Sequence, residues 1–316
     1  MSKDYQAETA ELFGDLWPRY NDKLFEESVV LFEKRFLANG FDVSWFKGKR
    51  CLDVGCGGGR YSIAMARLGA DQVMGCDISA SGLADARKRA SGLANITFEE
   101  ASVLELPYRD NSFDFVCCSG VLHHTTDTER GLKELRRVLR PGGKIYLLLY
   151  GTGGLRWPTM MRVRPFAQAM GYEFISEMTC TAGLPANRQR IFLDDLFVPL
   201  IRFFDWEEIR YMLVNNSFIE VERWEKGKFD HEENISVQQA ELKQLHLVFE
   251  TALRNCGAGN KDAGIQARKA LEVMTSVLNE FDEIERSFTN ARITKEEVCN
   301  KIFGWGHHRV LAVKSP

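Results

Sequence analysis

The sequence contains no run of eighteen consecutive apolar residues, and its eight cysteines include no CxxC pair. The first absence excludes an ordinary membrane-spanning helix, and the second argues against a zinc or dithiol redox motif. There is no basic excess either, since 41 Lys and Arg stand against 44 Asp and Glu, which disfavours a nucleic-acid-binding protein. The first residues also lack the basic and apolar pattern of a secretory signal. We therefore expect a cytoplasmic protein whose cysteines are buried free thiols.

Between residues 50 and 150 the sequence alternates short apolar runs with helical patterns. The runs predict β-strands at roughly 50–54, 72–77, 95–99, 113–119 and 144–150. Helices are predicted between them at roughly 59–68, 80–91 and 127–139. Strands separated by such helices form right-handed βαβ units, so we expect an α/β fold with a parallel sheet. Pro141-Gly142-Gly143 is expected to end the third helix with a turn before the fifth strand.

The stretch CLDVGCGGG at residues 51–59 leads from the first strand into the first helix. Its glycines permit positive φ and let a ligand approach backbone N–H groups. Dinucleotide, flavin and S-adenosylmethionine (SAM) sites all use this strand-turn-helix element, so it does not identify the ligand alone. Asp77 ends the next strand, where a carboxylate accepts hydrogen bonds from both ribose hydroxyls. This acid fits NAD equally well.

Four sequence blocks narrow the choice: LDVGCGGG at 52–59, VMGCDIS at 73–79, LPYRDNSFD at 106–114 and ELRRVLRPGG at 134–143. Together they resemble the core of the class I SAM-dependent methyltransferases. The resemblance implies an α/β fold with a seven-stranded, mostly parallel Rossmann-like sheet, to which helical N-terminal and inserted cap segments are added. It covers about a third of the chain directly, and the flanking parts match no subfamily that we identify.

The resemblance also implies SAM as the cofactor, S-adenosylhomocysteine as its product, and no metal. By this resemblance Asp77 would bind the ribose, the glycine loop would approach the methionine end, and Asp53 would orient that loop or reach the amino group through water. The family often has an acidic residue at the position of Ser102 to bind the adenine amino group, and a hydroxyl is a weaker acceptor. The residues expected to contact the cofactor are Asp53, Gly55, Gly57, Gly59, Asp77, Ile78, Ser102, Val103, Ser119 and Tyr20.

Two histidines follow the fourth strand in Ser119-Gly120-Val121-Leu122-His123-His124. They are the titratable groups expected nearest to the methyl donor, so His123 or His124 would act as a general base toward a hydroxyl or amine. The alternative is that they hold the loop, since methyl transfer often needs only proximity and orientation. His308, at the start of the last strand, is a further catalytic candidate.

The breaks in the pattern predict six segments. They are a helical N-terminal cap at 1–48, the SAM-binding core at 49–150, a cap insertion at 151–204, a core helix and sixth strand at 205–224, a helical cap insertion at 225–304, and the last strand at 305–316. Ligands bind beyond the carboxyl ends of the strands in open α/β sheets, so both insertions are expected to emerge over the cofactor. They would enclose a substrate pocket lined with aromatic side chains.

Several side chains in these segments are candidates for the substrate pocket. Trp17 and Tyr20 would close over the cationic sulfonium, or would only pack between helices. Phe25, Val29, Phe32 and Phe36 recur at spacings of three and four and form an apolar stripe, and the aromatics at 192–206 are expected to be core. Five arginines would bind a carboxylate or phosphate of an anionic substrate, or would form the solvated basic face that we favour: Arg156, Arg162, Arg164, Arg188 and Arg190.

We therefore expect a SAM-dependent methyltransferase that acts on an oxygen or nitrogen of a small or medium-sized metabolite. No nucleic-acid or membrane partner is expected, and the oligomeric state stays open, a homodimer included. One alternative is an enzyme of the same fold that acts on tRNA or uses SAM for non-methyl chemistry. Another is a SAM-binding protein without catalytic activity. The Leu-Pro and Pro-Gly-Gly blocks together disfavour a nicotinamide-dependent dehydrogenase.

Overall fold

The computed structural model of the protein describes residues 4–19, 21–224, 235–256 and 261–316. The chain divides into two compact units. The first consists of Met1–Gly151, Pro199–Gly227 and His307–Pro316, and the second consists of Thr152–Val198 and Lys228–Gly306. The described strands all belong to the first unit, whereas the described elements of the second unit are helices.

The first unit contains a seven-stranded sheet: β1 (Arg50–Val54), β2 (Gln72–Asp77), β3 (Ile96–Glu100), β4 (Phe113–Ser119), β5 (Leu139–Tyr150), β6 (Phe218–Arg223) and β7 (His307–Lys314). The strand order is β3-β2-β1-β4-β5-β7-β6. The first five strands pair in parallel, and β7 lies antiparallel to both β5 and β6. The predicted fold class, a mostly parallel Rossmann-like sheet of seven strands, is confirmed.

The described residues form twelve α-helices, numbered in chain order: α1 (Tyr5–Leu16), α2 (Asp22–Ala38), α3 (Arg60–Arg67), α4 (Ala80–Arg89), α5 (Thr128–Val138), α6 (Arg156–Met170), α7 (Tyr172–Thr181), α8 (Ala186–Phe197), α9 (Trp206–Asn215), α10 (Ile235–Asn255), α11 (Lys261–Thr289) and α12 (Lys295–Ile302). Short polar side chains begin several of them, because they satisfy backbone N–H groups that the first helical turn leaves open. Asn21 accepts from the Leu24 amide of α2, and Ser79 accepts from the Gly82 amide of α4.

Alternate strand residues supply two separate apolar clusters in the first unit. Leu52 and Val54 of β1 belong to one cluster, which α5 and α9 complete, and Cys51 belongs to another, which α2 and α3 complete. This division follows from the two-residue period of a strand. The apolar stripe of α2 lies in the second cluster, where Phe32 and Phe36 stack at a centroid distance of 4.3 Å.

The turn expected at Pro141-Gly142-Gly143 is not a turn between a helix and a strand. Strand β5 already begins at Leu139, directly after α5, and its pairing with β4 shifts register between Phe113 and Phe115. Gly142 has a φ of 71° in this irregular stretch. The glycines therefore form a bulge inside the strand, because the first β5 residue already pairs with Phe113 before the chain bends.

In the second unit, α11 packs against both α6 and α10. The sequence pattern predicted α10, α11 and α12 but not the three helices between 156 and 197. Pro165 lies inside α6, and a proline in a helical interior weakens the helical pattern of the sequence. The six predicted segment boundaries, including the role of 151–204 and 225–304 as caps over the cofactor, stay a prediction.

The structure gives the state of the cysteines and the character of the helices. Cys51, Cys56, Cys76, Cys117 and Cys118 are buried, and all eight cysteines are free thiols. None of the helices within the described ranges combines the length with the apolar composition that crossing a bilayer requires.

Candidate cofactor site

A cavity lies in the first unit. Its wall combines the ends of β1, β2 and β4, the loops that follow β3 and β4, and one face of α1 with the turn after it. The wall residues are Gln6, Thr9, Ala10, Phe13, Trp17, Gly55, Asp77, Ile78, Ala101, Ser102, Val103, Leu104, Ser119, Gly120, Val121, His124 and Thr125. This is the edge at which open α/β sheets bind ligands.

Asp77 is held rigidly at the end of β2. Its Oδ2 accepts a hydrogen bond from the Gly57 amide at 2.8 Å, and its Oδ1 accepts from the Ser79 amide at 2.9 Å. Burial raises the pKa of Asp77, while these backbone N–H groups oppose that change by stabilising the carboxylate. Each carboxylate oxygen has a further lone pair, so Asp77 can still accept from a vicinal diol in the cavity.

The loop after β1 requires glycine at positions 55 and 57. Gly55 and Gly57 have φ values of 67° and 51°. A Cβ atom on Gly57 would lie 2.2 Å from Trp17 Cε2, and one on Gly55 would lie 2.2 Å from Val121 Cγ2. The missing side chains therefore let Trp17 and Val121 pack against the loop backbone. Of the glycines predicted to contact the cofactor, only Gly55 lies in the cavity wall.

Gly57, Gly59 and Asp53 support the loop and are not part of the wall. Gly59 has a φ of 82° and is the N-cap of α3. Asp53 is buried and accepts a hydrogen bond from Ser62 Oγ at 2.7 Å, and burial raises its pKa to about 6. The three residues are placed to fix the loop, and their contact with the cofactor stays a prediction.

The side of the cavity predicted to hold adenine is formed by the loop after β3. Ile78, Ser102 and Val103 all lie in the wall, as do Ala101 and Leu104. Ser102 Oγ already accepts a hydrogen bond from the Leu104 amide at 3.2 Å, so the serine is oriented by its own loop. Its hydroxyl proton can still be donated, which suits an acceptor nitrogen better than an amino group.

Ser119 ends β4 and lies in the wall with its hydroxyl buried. The hydroxyl makes no hydrogen bond of normal geometry to a described residue, although it lies close to the Tyr61 hydroxyl. Asp77, the glycine loop and Ser119 thus provide acceptors, a close backbone approach and a hydroxyl, which fit the ribose and the amino acid tail of SAM.

His124 is the histidine of the predicted pair that lies in the cavity wall. Its Nδ1 lies 2.8 Å from the carbonyl oxygen of Leu200, and because a carbonyl only accepts, Nδ1 carries the proton. The His124 ring also lies 5.7 Å from the Phe13 ring. The segment after α8 therefore fixes both the orientation and the tautomer of His124.

His123 and His308 are not wall residues. His123 is fully buried and stacks on Tyr150 at a centroid distance of 3.8 Å, and burial holds its pKa well below the ordinary histidine value. His308 is also fully buried, with Nε2 3.0 Å from the Phe204 carbonyl oxygen. Both side chains pack in the interior, which argues against the catalytic role predicted for them.

Residues of α1 are the part of the wall that the sequence did not identify. Gln6, Thr9, Ala10 and Phe13 follow helical spacing and line one side of the cavity. The spacing marks a helix face, but α1 has several apolar positions, and only the packed structure decides which face meets the cavity. Trp17 was a predicted pocket residue and does lie in the wall, whereas Tyr20 lies outside the described residues.

The arginines of the second unit are largely neutralised within that unit. Arg156 pairs with Asp195 and Glu241, and Arg188 pairs with Glu241 at 2.5 Å. Arg164 donates to the backbone carbonyls of Asp195 and Val198. Arg162 is exposed, and Arg190 lies near enough to Asp194 to lower its pKa, which burial raises to about 7. These contacts argue against an anion-binding role for Arg156, Arg164 and Arg188.

Part of the chain is similar in sequence to known methyltransferases. Residues 52–147 match a family described as a methyltransferase domain. Over 106 residues the chain is 42% identical to 2-phytyl-1,4-naphtoquinone methyltransferase from Nostoc sp., an alignment that covers 32% of this chain and 46% of that protein. Over 134 residues it is 32% identical to demethylmenaquinone methyltransferase from Staphylococcus aureus, covering 42% and 54%.

The chain therefore spans about half the length of the curated relatives that it matches. Among solved structures, it is similar to the YcgJ protein from Bacillus subtilis, with 16% identity and a TM-score of 0.47. That alignment covers 92% of this chain and 99% of the other.

Proposed function

Because residues 52–147 belong to the class I SAM-dependent methyltransferases, we propose that the whole chain transfers a methyl group from SAM to an oxygen or nitrogen of a small or medium-sized metabolite. The observation that carries this proposal is that His124 lies in the wall of the same cavity as Asp77, Gly55 and Ser119. A titratable side chain and the groups suited to the cofactor thus line one compartment.

The residues around the cavity divide the work of holding SAM. Asp77 would accept from the ribose hydroxyls while the Gly57 and Ser79 amides keep its carboxylate in place. Ser119 would donate its hydroxyl proton to the amino acid tail, and Ser102 and Val103 would border the adenine. When bound, SAM supplies an electrophilic methyl group on its sulfonium.

His124 would take the proton of the nucleophile. Its Nδ1–H donates to the Leu200 carbonyl, so in the neutral ring Nε2 is the basic nitrogen. A neutral imidazole is a suitable base for a phenol or amine. Because the His124 ring is already held in one orientation, less conformational freedom is lost when the base and the nucleophile are brought together.

The relatives favour a second candidate for the acceptor atom. Two of them are named for quinone substrates, so transfer to a ring carbon of a quinol is the alternative to oxygen and nitrogen. The same histidine would serve this reaction, because removing a hydroxyl proton increases the nucleophilicity of the ring carbons as well as of the oxygen.

Titration calorimetry with S-adenosylhomocysteine and with NAD tests the cofactor. We expect binding of S-adenosylhomocysteine and none of NAD, and the reverse result would contradict the proposal. Turnover is then tested with SAM labelled with ¹³C in its methyl group and a panel of phenols, amines and quinols. The ¹³C chemical shift of the product methyl distinguishes oxygen, nitrogen and carbon, and cofactor binding without product from any acceptor would favour a non-catalytic binding protein.

The pH dependence of turnover tests His124. His124→Asn retains an N–H that can donate to the Leu200 carbonyl but lacks a basic nitrogen, so we expect kcat to fall by about 10²–10⁴-fold. Binding of S-adenosylhomocysteine should stay within about threefold. In the unmodified protein kcat should rise with pH as the imidazole loses its proton. A full kcat in His124→Asn would exclude the base role.

A further inference from the structure

The part of the cavity wall that is not assigned to the cofactor carries almost no charge. Of the wall residues, all of which lie within the described ranges, only Asp77 and His124 are ionisable, and none is Lys or Arg. Asp77 is already assigned to the ribose of the cofactor. A carboxylate or phosphate buried in such a wall would have no lysine or arginine to pair with, and an unpaired buried charge is unfavourable.

This remaining wall is built from α1 and the turn after β4. Ala10 and Phe13 face the cavity from α1, and Val121, His124 and Thr125 face it from the turn. The Phe13 and His124 rings are 5.7 Å apart and inclined by 52°, so together they form one bent aromatic surface. Aromatic ligands pack on such a surface by offset or edge contacts, which stabilise them beyond simple burial of area.

The polar groups of this wall are few and neutral. Thr9 Oγ1 donates to the Tyr5 carbonyl, and Thr125 Oγ1 donates to the Leu122 carbonyl, so both hydroxyl protons are engaged within the chain. Gln6 places a side-chain amide at the exposed end of the same helix face. An amide both donates and accepts, so it suits a hydroxyl or carbonyl oxygen at the far end of a ligand.

We propose that the face of α1 formed by Gln6, Ala10 and Phe13 is the acceptor subsite, and that it selects an uncharged planar aromatic molecule bearing a hydroxyl. This inference depends on the proposed methyl transfer, because it assigns the wall beside His124 to the acceptor. Phe13 is the specificity-determining residue: its ring supports the aromatic plane, and His124 faces the hydroxyl.

Two probes with the same ring system test the selection. With saturating S-adenosylhomocysteine present, calorimetry should detect binding of 1-naphthol and at least about tenfold weaker binding of 1-naphthalenesulfonate. Tighter binding of the sulfonate would overturn the inference. Binding of S-adenosylhomocysteine without binding of 1-naphthol would overturn the inference and leave the proposed function standing, whereas loss of cofactor binding itself would remove both.

Variants of α1 test the assignment to Phe13. Phe13→Ala should weaken binding of 1-naphthol about tenfold or more and change S-adenosylhomocysteine binding by less than about threefold. The matched control is Leu12→Ala, which truncates a buried apolar side chain of the same helix outside the cavity wall. It should leave both affinities within about threefold. Equal effects of the two variants, or equal loss of both ligands in Phe13→Ala, would overturn the assignment.

Ala10→Leu provides a test that removes no packing. Leucine is a good helix former, so α1 is expected to be retained. The larger side chain would fill the subsite and should abolish detectable 1-naphthol binding while S-adenosylhomocysteine still binds. Undiminished binding of 1-naphthol to this variant would place the aromatic ligand elsewhere.

Discussion

The two units bury ionisable side chains in different ways. In the sheet unit, Asp77 is held by backbone amides, Asp53 by a serine hydroxyl and His124 by a backbone carbonyl. In the helical unit, Asp195 and Glu241 are paired directly with arginines. Asp77, which accepts from two backbone amides, keeps further lone pairs for a ligand, whereas a buried ion pair satisfies its own charges.

This difference indicates which charged residues serve recognition. The helical unit has many arginines in its sequence, but its own carboxylates and carbonyls engage three of those proposed to bind an anion. The sheet unit has few charges around the cavity, yet each is oriented by backbone groups. Orientation by the backbone, rather than abundance of charge, therefore marks the candidate site.

The largest expected effect comes from breaking the paired charges. Glu241 is 6% exposed and contacts both Arg156 and Arg188. Glu241→Ala should lower the free energy of unfolding by about 3–5 kcal/mol, because it leaves Arg188 without its carboxylate and Arg156 with Asp195 alone. Chemical denaturation measures this change. Glu250→Ala on the same helix is the control, since its side chain is 46% exposed, and it should cost less than about 1 kcal/mol. Equal effects would mean that the buried pairs contribute no more than an exposed one.

The next largest effect is expected when the Asp77 carboxylate of the sheet unit is removed. Asp77→Ala should weaken S-adenosylhomocysteine binding by about 1.5–3 kcal/mol, the range for losing a charged hydrogen-bond acceptor. Calorimetry on Asp71→Ala provides the control, because this exposed aspartate lies just before the opposite end of the same strand. Unchanged affinity in Asp77→Ala would mean that the cofactor site is wrongly placed.

A substitution at Gly57 tests how closely the loop packs. Gly57→Ala combines a positive φ of 51° with a Cβ only 2.2 Å from Trp17 Cε2, and we expect about 1–3 kcal/mol of lost stability. Gly40→Ala also has a positive φ but meets nothing within 4 Å, so only about 1 kcal/mol is expected there. In a Trp17→Ala background the excess cost at Gly57 should disappear. If the excess persists in thermal unfolding, the contact with Trp17 is not its cause.

The smallest expected effect is the pH dependence that His123 contributes. The pKa of His123 in the folded protein lies below the unfolded value of about 6.5, so near that pH the unfolded chain binds a proton at His123 and the folded chain does not. The stability that neutral His123 contributes is therefore complete above about pH 6.5. It is lost as the pH falls, by up to about 1.4 kcal/mol per pH unit.

His123→Phe removes this titration and retains a ring that can stack on Tyr150. Unfolding free energies measured between pH 7.5 and 5.5 should therefore fall less steeply in the variant. His246→Gln on α10 serves as the control, because it removes a histidine that is 23% exposed rather than fully buried. An identical slope in His123→Phe and the unmodified protein would contradict the buried neutral state.

The strands and the glycine loop could be predicted because their determinants are close together in sequence. Apolar runs of five to seven residues predicted β1, β2 and β4 with the bounds that the structure has. Gly55 and Asp77 were identified from the loop and from the end of the next strand, and both lie in the cavity wall. The bulge in β5 was not predicted, since a Pro-Gly-Gly triplet indicates a bend but not whether the strand pairs through it.

By itself, the sequence determined the α/β core, the glycine loop and the acid at the end of β2, because each depends on backbone preferences within a few residues. Only the tertiary structure decided which histidine meets the cavity, which face of α1 forms its wall and which arginines are neutralised. The Leu200 carbonyl that orients His124 lies 76 residues away, and Glu241 lies 85 residues from Arg156. Such partners are chosen by packing, and packing brings together residues whose spacing in the chain carries no periodic pattern.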